Sequence, residues 1–63
     1  MPYVNIRVTS GVTKEQKLKL IEGVTDLVGK ILAAYPTATF VIIDDIETDN
    51  WGMNRQSMTQ LRV

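Results

Sequence analysis

The sequence predicts an α+β fold: a two-layer β-α-β subunit with parallel strands, a short C-terminal hairpin or arm, and a need to oligomerise. Three observations carry this. Residues 3–9 alternate apolar and polar side chains, residues 13–34 repeat apolar side chains at helical spacing, and Phe40 to Ile43 is apolar without a break.

The first strand is Tyr3-Val-Asn-Ile-Arg-Val-Thr9. Val4, Ile6 and Val8 share one parity and Tyr3, Asn5, Arg7 and Thr9 the other, which is the pattern of a half-buried strand. Arg7 therefore points away from Val4 and Ile6, where a subunit contact is one expectation. Gly11 breaks the run. Thr13 then opens a helix, and Gln16 three residues later completes a capping-box pattern. Leu20, Val24, Leu27, Val28 and Ile31 recur at helical spacing, and Ile21 and Leu32 widen the stripe. Lys14, Lys17, Lys19, Glu22, Asp26 and Lys30 fall mostly on the opposite face. Pro36 is expected to end the helix, because the residue before a proline is driven out of the helical region. A helix over about 13–34 would be roughly 30 Å long. Gly23 and Gly29 each cost it about 1 kcal/mol relative to alanine, which close approach of another backbone would explain.

The second strand is expected over residues 39–46. Because Phe40 to Ile43 is apolar at both parities, both of its faces call for burial. One helix covers one face, so another subunit must cover the second. Strand, helix and strand form a βαβ unit with parallel strands and a right-handed crossover. Asp49-Asn50-Trp51-Gly52 has turn chemistry. Residues 53–63 are mixed, with a weak strand-like stretch from Ser57 to Leu61, and are expected to lie as a hairpin or arm on a neighbour. No repeat, linker or low-complexity segment interrupts a single domain over residues 1–63.

Composition supports the oligomer and narrows the chemistry. A chain of 63 residues buries only about 60% of the surface its unfolded form exposes, so an isolated monomer is marginal, and the usual remedies are disulfides, a metal or partner chains. There is no cysteine and no histidine, which removes disulfides, thiolate and imidazole chemistry and the commonest metal ligand. Seven basic and seven acidic residues cancel, so no basic field points to nucleic acid. No apolar run approaches the ~20 residues of a membrane span, and the N-terminus lacks the apolar region of a secretory signal. A cytoplasmic protein is expected.

Pro2 is the residue with the most chemical promise. With Met1 removed, Pro2 carries a free secondary amine. An α-amino group titrates at about 7.7–8.0 in model peptides, and apolar surroundings lower that value. A neutral amine near pH 7 can remove a proton α to a carbonyl and return it elsewhere, which is tautomerisation. The plainer reading is a proline at position 2 with no catalytic role. Asp44, Asp45, Glu47 and Asp49 form an acidic run that reads as a solvated strand end rather than a cation site. Met53 and Met58 read as packing residues. Arg62 lies near the C-terminus, where reaching a neighbour's site and being disordered are the two expectations.

Met1-Pro2 before an alternating strand, then Gly11 and Thr13-Lys14-Glu15-Gln16-Lys17, resembles the opening of 4-oxalocrotonate tautomerases. So do the helix length, Val41-Ile42-Ile43 and Asn50-Trp51-Gly52. The resemblance spans nearly the whole chain. It implies that Pro2 is the general base on a small enol or α-keto substrate, without cofactor or metal. It also implies a homohexamer, a trimer of dimers, with sites built from neighbouring chains. Trp51 matches the family's aromatic wall residue, and Phe40 is expected to extend that wall. Two substrate-binding positions depart from the pattern. Val12 and Phe40 stand where the best-known members carry arginines, and neither side chain can hold a carboxylate or polarise a carbonyl. Where the family usually has a glycine-rich stretch, this chain reads Met53-Asn54-Arg55-Gln56. Arg55 is the candidate replacement cation, against the plainer reading of a solvated arginine. The alternatives are a non-catalytic oligomeric relative that acts as a binding or structural protein, and a hydratase or dehalogenase of unsaturated acids.

Overall fold

The computed structural model describes residues 2–62; Met1, on whose removal the proline chemistry depends, lies outside the described residues. The order of elements is β1 (Tyr3–Thr9), α1 (Lys14–Leu32), a 3₁₀ turn (Pro36–Ala38), β2 (Phe40–Ile46), a second 3₁₀ turn (Thr48–Asn50), β3 (Gly52–Met53), β4 (Gln56–Ser57) and α2 (Met58–Leu61). β1 and β2 are parallel, with Tyr3 opposite Phe40 and Thr9 opposite Ile46. β3 and β4 form a separate antiparallel hairpin. The β-α-β unit and the C-terminal hairpin agree with the fold class expected from the sequence.

The parallel register fixes what shares a face. Val4, Ile6 and Val8 stand opposite Val41, Ile43 and Asp45. This is the helix side: Lys17 of α1 forms an ion pair with Asp45 there. On the reverse side Tyr3, Asn5 and Arg7 stand opposite Phe40, Ile42 and Asp44. Asn5 Nδ2 donates to Asp44 Oδ2 at 3.0 Å and Arg7 Nε lies 3.8 Å from the same oxygen. Tyr3, Phe40 and Ile42 remain exposed beside them. Asp44 and Asp45 thus serve opposite faces, as neighbours on a strand must.

Thr13 caps α1 as the sequence predicts. Its hydroxyl accepts from Gln16 N at 3.1 Å and Gln16 Oε1 accepts from Thr13 N at 2.9 Å. The other end differs from expectation. The helix stops at Leu32, before Pro36 can act, because Ala33 takes a left-handed conformation (φ 53°) as the C-cap. The returning chain brings the Ala34 carbonyl to 3.0 Å from where a Cβ on Gly29 would lie. Gly29 is the close-approach glycine; no such neighbour within the chain accounts for Gly23. The expected strand-like stretch from Ser57 to Leu61 is also not a strand beyond Ser57, the last residue of β4, because Met58–Leu61 is helical. Ser57 and Gln60 form a second capping box, with Gln60 Oε1 accepting from Ser57 N at 2.9 Å, and this closes the short α2. The expected hairpin lies one step earlier, with Asn54 and Arg55 at its turn.

Among the described residues none is buried within the single chain. Val24 and Val28 are half-buried on the sheet, while Leu18, Leu27, Ile31 and Leu32 of α1 are exposed. The apolar stripe of the helix is therefore wider than its own sheet covers. The chain measures 42 × 23 × 13 Å, with a radius of gyration of 14.6 Å. A compact chain of this length would have about 11 Å. The chain is a thin plate with both apolar surfaces open.

Candidate active site

Pro2 sits immediately before β1, and its carbonyl accepts from Phe40 N at 3.0 Å. That bond joins the starts of the two parallel strands, but the side chain of Phe40, a residue 51% exposed, lies with Tyr3 on the reverse face of the sheet, so within one chain Phe40 does not form the expected wall of the Pro2 cleft. Pro2 lines an open cleft of about 520 Å³ with Leu32, Ala34, Tyr35 and Ala38. The segment after α1 supplies the wall. Tyr35 is in extended conformation (φ −75°, ψ 140°), as a residue before proline prefers. Its carbonyl accepts from Ala38 N at 2.9 Å and from Thr39 Oγ1 at 3.1 Å, which pins the backbone while the side chain stays 76% exposed. Tyr35 was not evident as a site residue from the sequence. Its neighbour Pro36 marks a fixed backbone, but only the return of the chain over Gly29 brings it to Pro2.

Val12, Trp51 and Arg55 lie elsewhere. Val12 follows the far end of β1, which Ser10 N ties to Ile46 O at 2.9 Å, and it is half-buried. Trp51 follows the 3₁₀ turn beyond β2 and is half-buried; its carbonyl accepts from Met58 N at 2.8 Å. Arg62 Nη2 donates to Thr9 Oγ1 at 2.6 Å, fastening this C-terminal segment to the far end of β1. In this chain, therefore, Arg62 meets its own first strand. From Tyr3 to Thr9 the strand climbs about 20 Å. Within one chain, therefore, Pro2 stands at one end of β1 and Val12 beyond the other, and neither Val12, Phe40, Trp51 nor Arg55 is among the residues lining the Pro2 cleft.

Arg55 is exposed at the hairpin turn, with φ 67°, next to Asn54 at φ 52°. Two positive φ angles are what a two-residue hairpin turn with the sheet's twist requires. Asparagine tolerates this conformation; for arginine it costs about 1–2 kcal/mol. Thr59 of α2 ties instead to the 3₁₀ turn Thr48–Asn50: its hydroxyl donates to Asp49 and lies 2.7 Å from Thr48 Oγ1. The acidic run does not converge: Asp44, Asp45 and Asp49 each engage a different partner. Among the described residues no three acidic side chains come together as a cation site. None of the described helices is long and apolar enough to cross a membrane.

A family model described as "Tautomerase enzyme" matches residues 2–60. The chain is 56% identical over 63 residues to a protein of Dickeya dadantii named probable tautomerase K2, covering 98% of this chain and 94% of the relative. Among solved structures, DmpI from Helicobacter pylori superposes with a TM-score of 0.87 at 41% identity, over 97% of this chain and 96% of that one. A 4-oxalocrotonate tautomerase isozyme of Methylibium petroleiphilum superposes with a TM-score of 0.92 at 33% identity, over 95% and 97%.

Proposed function

This chain belongs to the tautomerase family, and from that premise we propose that it is an isomerase that moves a proton within a small enol or α-keto compound, with the amine of Pro2 as general base. The observation that carries the reading is the placement of Pro2: half-buried at the sheet edge, in a cleft whose other walls are Leu32, Ala34, Tyr35 and Ala38. Apolar walls favour the uncharged amine. The Pro2 nitrogen takes the proton of the enol hydroxyl as the carbonyl forms. The electron pair of the carbon–carbon double bond takes the proton back at carbon, so the net change is an isomerisation with no electron lost. No cofactor or metal enters these steps.

The site is completed between copies. The distance along the sheet separates Pro2 from Trp51 and Val12 within one chain, and the exposed apolar faces call for partner chains. Trp51 and Phe40 of neighbouring chains complete the apolar wall, Val12 lines it, and Arg55 supplies the anion-binding group lost at positions 12 and 40. A homo-oligomer follows, and the family resemblance favours a hexamer, a trimer of dimers, in the cytoplasm. Hydration or dehalogenation would need a carboxylate beside the proline to activate water, and none is among the described residues with which the single chain lines the cleft.

The test is ketonisation of phenylenolpyruvate by the chain with Met1 removed. A positioned general base contributes about 10²–10⁴-fold, so Pro2→Ala is expected to lower kcat/KM by at least that lower bound. Absence of turnover by the processed wild-type chain would instead assign it to the non-catalytic relatives.

A further inference from the structure

We propose that Tyr35 is a specificity-determining residue of the Pro2 site: its phenol donates a hydrogen bond to the substrate and selects a monocarboxylate 2-oxo acid enol with an apolar substituent over a dicarboxylate. The inference rests on Pro2 as base and names the substrate class. Of the residues that line the cleft, Leu32, Ala34 and Ala38 offer only hydrocarbon side chains, and Tyr35 offers the one polar side-chain group. No ammonium or guanidinium is among them. A phenol donates to a single oxygen, of an enol or a carboxylate, without supplying charge. With Arg55 of a neighbour as the cation that the proposed reading supplies, the site is matched to one carboxylate. A second carboxylate would be set among apolar side chains without a partner, which is costly. An aryl or alkyl substituent would instead meet Leu32, Ala34 and Ala38.

The structure also explains why Tyr35 is held for this task. Its carbonyl is fixed by Ala38 N and Thr39 Oγ1, and Pro36 restricts its ψ, so the side chain springs from a pinned backbone. The segment reaches Pro2 because Gly29 lets the Ala34 carbonyl lie against the last turns of α1. A tyrosine serving only to cover apolar surface would make no use of its hydroxyl.

The experiment compares the processed wild type with Y35F, Y35A and P2A. It reads kcat/KM on phenylenolpyruvate and on 2-hydroxymuconate, and calorimetric Kd for benzoylformate, an aryl 2-oxo acid with no proton to lose. Loss of one neutral hydrogen bond predicts that Y35F lowers kcat/KM on phenylenolpyruvate and weakens benzoylformate about three- to tenfold, with Tm unchanged. Wild type is expected to prefer phenylenolpyruvate to 2-hydroxymuconate. Y35F indistinguishable from wild type in both rate and Kd overturns the donor role, including the case in which only Y35A is impaired. A preference for the dicarboxylate overturns the substrate class. Full activity in P2A would overturn the proline reading alone, because the benzoylformate Kd of Y35F reports on Tyr35 whether or not Pro2 is the base.

Discussion

At Arg55 the chain retains a backbone conformation that glycine would adopt more easily. Its φ of 67° places a bulky, charged side chain in the left-handed region, at about 1–2 kcal/mol. Relief of that strain gives a test that separates structure from function. Arg55→Gly is expected to raise stability by up to about 1 kcal/mol, seen as a higher Tm, and to lower kcat/KM on an enol carboxylate about tenfold as the cation is lost. A solvated arginine with no role predicts the stability gain and unchanged kinetics. The sequence made some of these residues visible and hid others for physical reasons. Pro2 stands out because removal of Met1 would leave it a free secondary amine that titrates closer to neutral than lysine, and Trp51 because it matches the aromatic wall residue of the family the sequence resembles. Tyr35 was hidden because its nearness to Pro2 comes from the reversal of the chain after α1. The strain at Arg55 was equally hidden, since a sequence names the residue and not its φ.

Elements were legible where a local hydrogen bond defines them. The capping box of Thr13 and Gln16 marks the start of α1 in sequence and structure alike. The same logic applied to Ser57 and Gln60 identifies α2, but the weak alternation of residues 57–61 obscured it. Ser57→Ala removes that cap and is expected to cost about 1 kcal/mol, loosening α2 and the hairpin it supports. Protection of the Met53 and Gln56 amides from hydrogen exchange measures this; unaltered protection would show that the hairpin stands without the cap. The end of α1 is the contrary case. Pro36 signals a stop, yet the left-handed Ala33 ends the helix earlier, and the tight contact of Gly29 with Ala34 follows. Helix propensity alone predicts that Gly29→Ala stabilises by about 1 kcal/mol. The contact at 3.0 Å predicts that this gain is lost and that benzoylformate binding weakens as Ala34 and Tyr35 shift. A raised Tm with unchanged binding would contradict it.

On the scale of the whole molecule, the unbroken Phe40–Ile43 run was the most informative pattern. It demands two covered faces, and the single chain covers one. The exposed helix flank of Leu27, Ile31 and Leu32 was not separable from the sheet-facing stripe, since both lie within the same helical period. Covering each large apolar side chain is worth about 1.5–3 kcal/mol, so the proposed assembly would supply what the plate-like chain lacks. Ile42→Asp, on the open sheet face, is expected to break the assembly, because a charge would be buried without a partner; sedimentation velocity would show loss of the oligomer, and an unchanged oligomer would put the interface elsewhere. Sharing of the site predicts complementation as well. Pro2→Ala chains refolded with Trp51→Ala chains should regain intact sites, about one in four for random mixing in a closed oligomer. The account depends above all on one nitrogen. While Met1 is attached, the Pro2 nitrogen is an amide whose lone pair is delocalised into a carbonyl and cannot act as a base. The most direct measurement is kcat/KM for phenylenolpyruvate on matched preparations with and without Met1, each verified by intact mass. The account predicts activity at least about a hundredfold higher in the processed chain; equal activity in the two forms would contradict it.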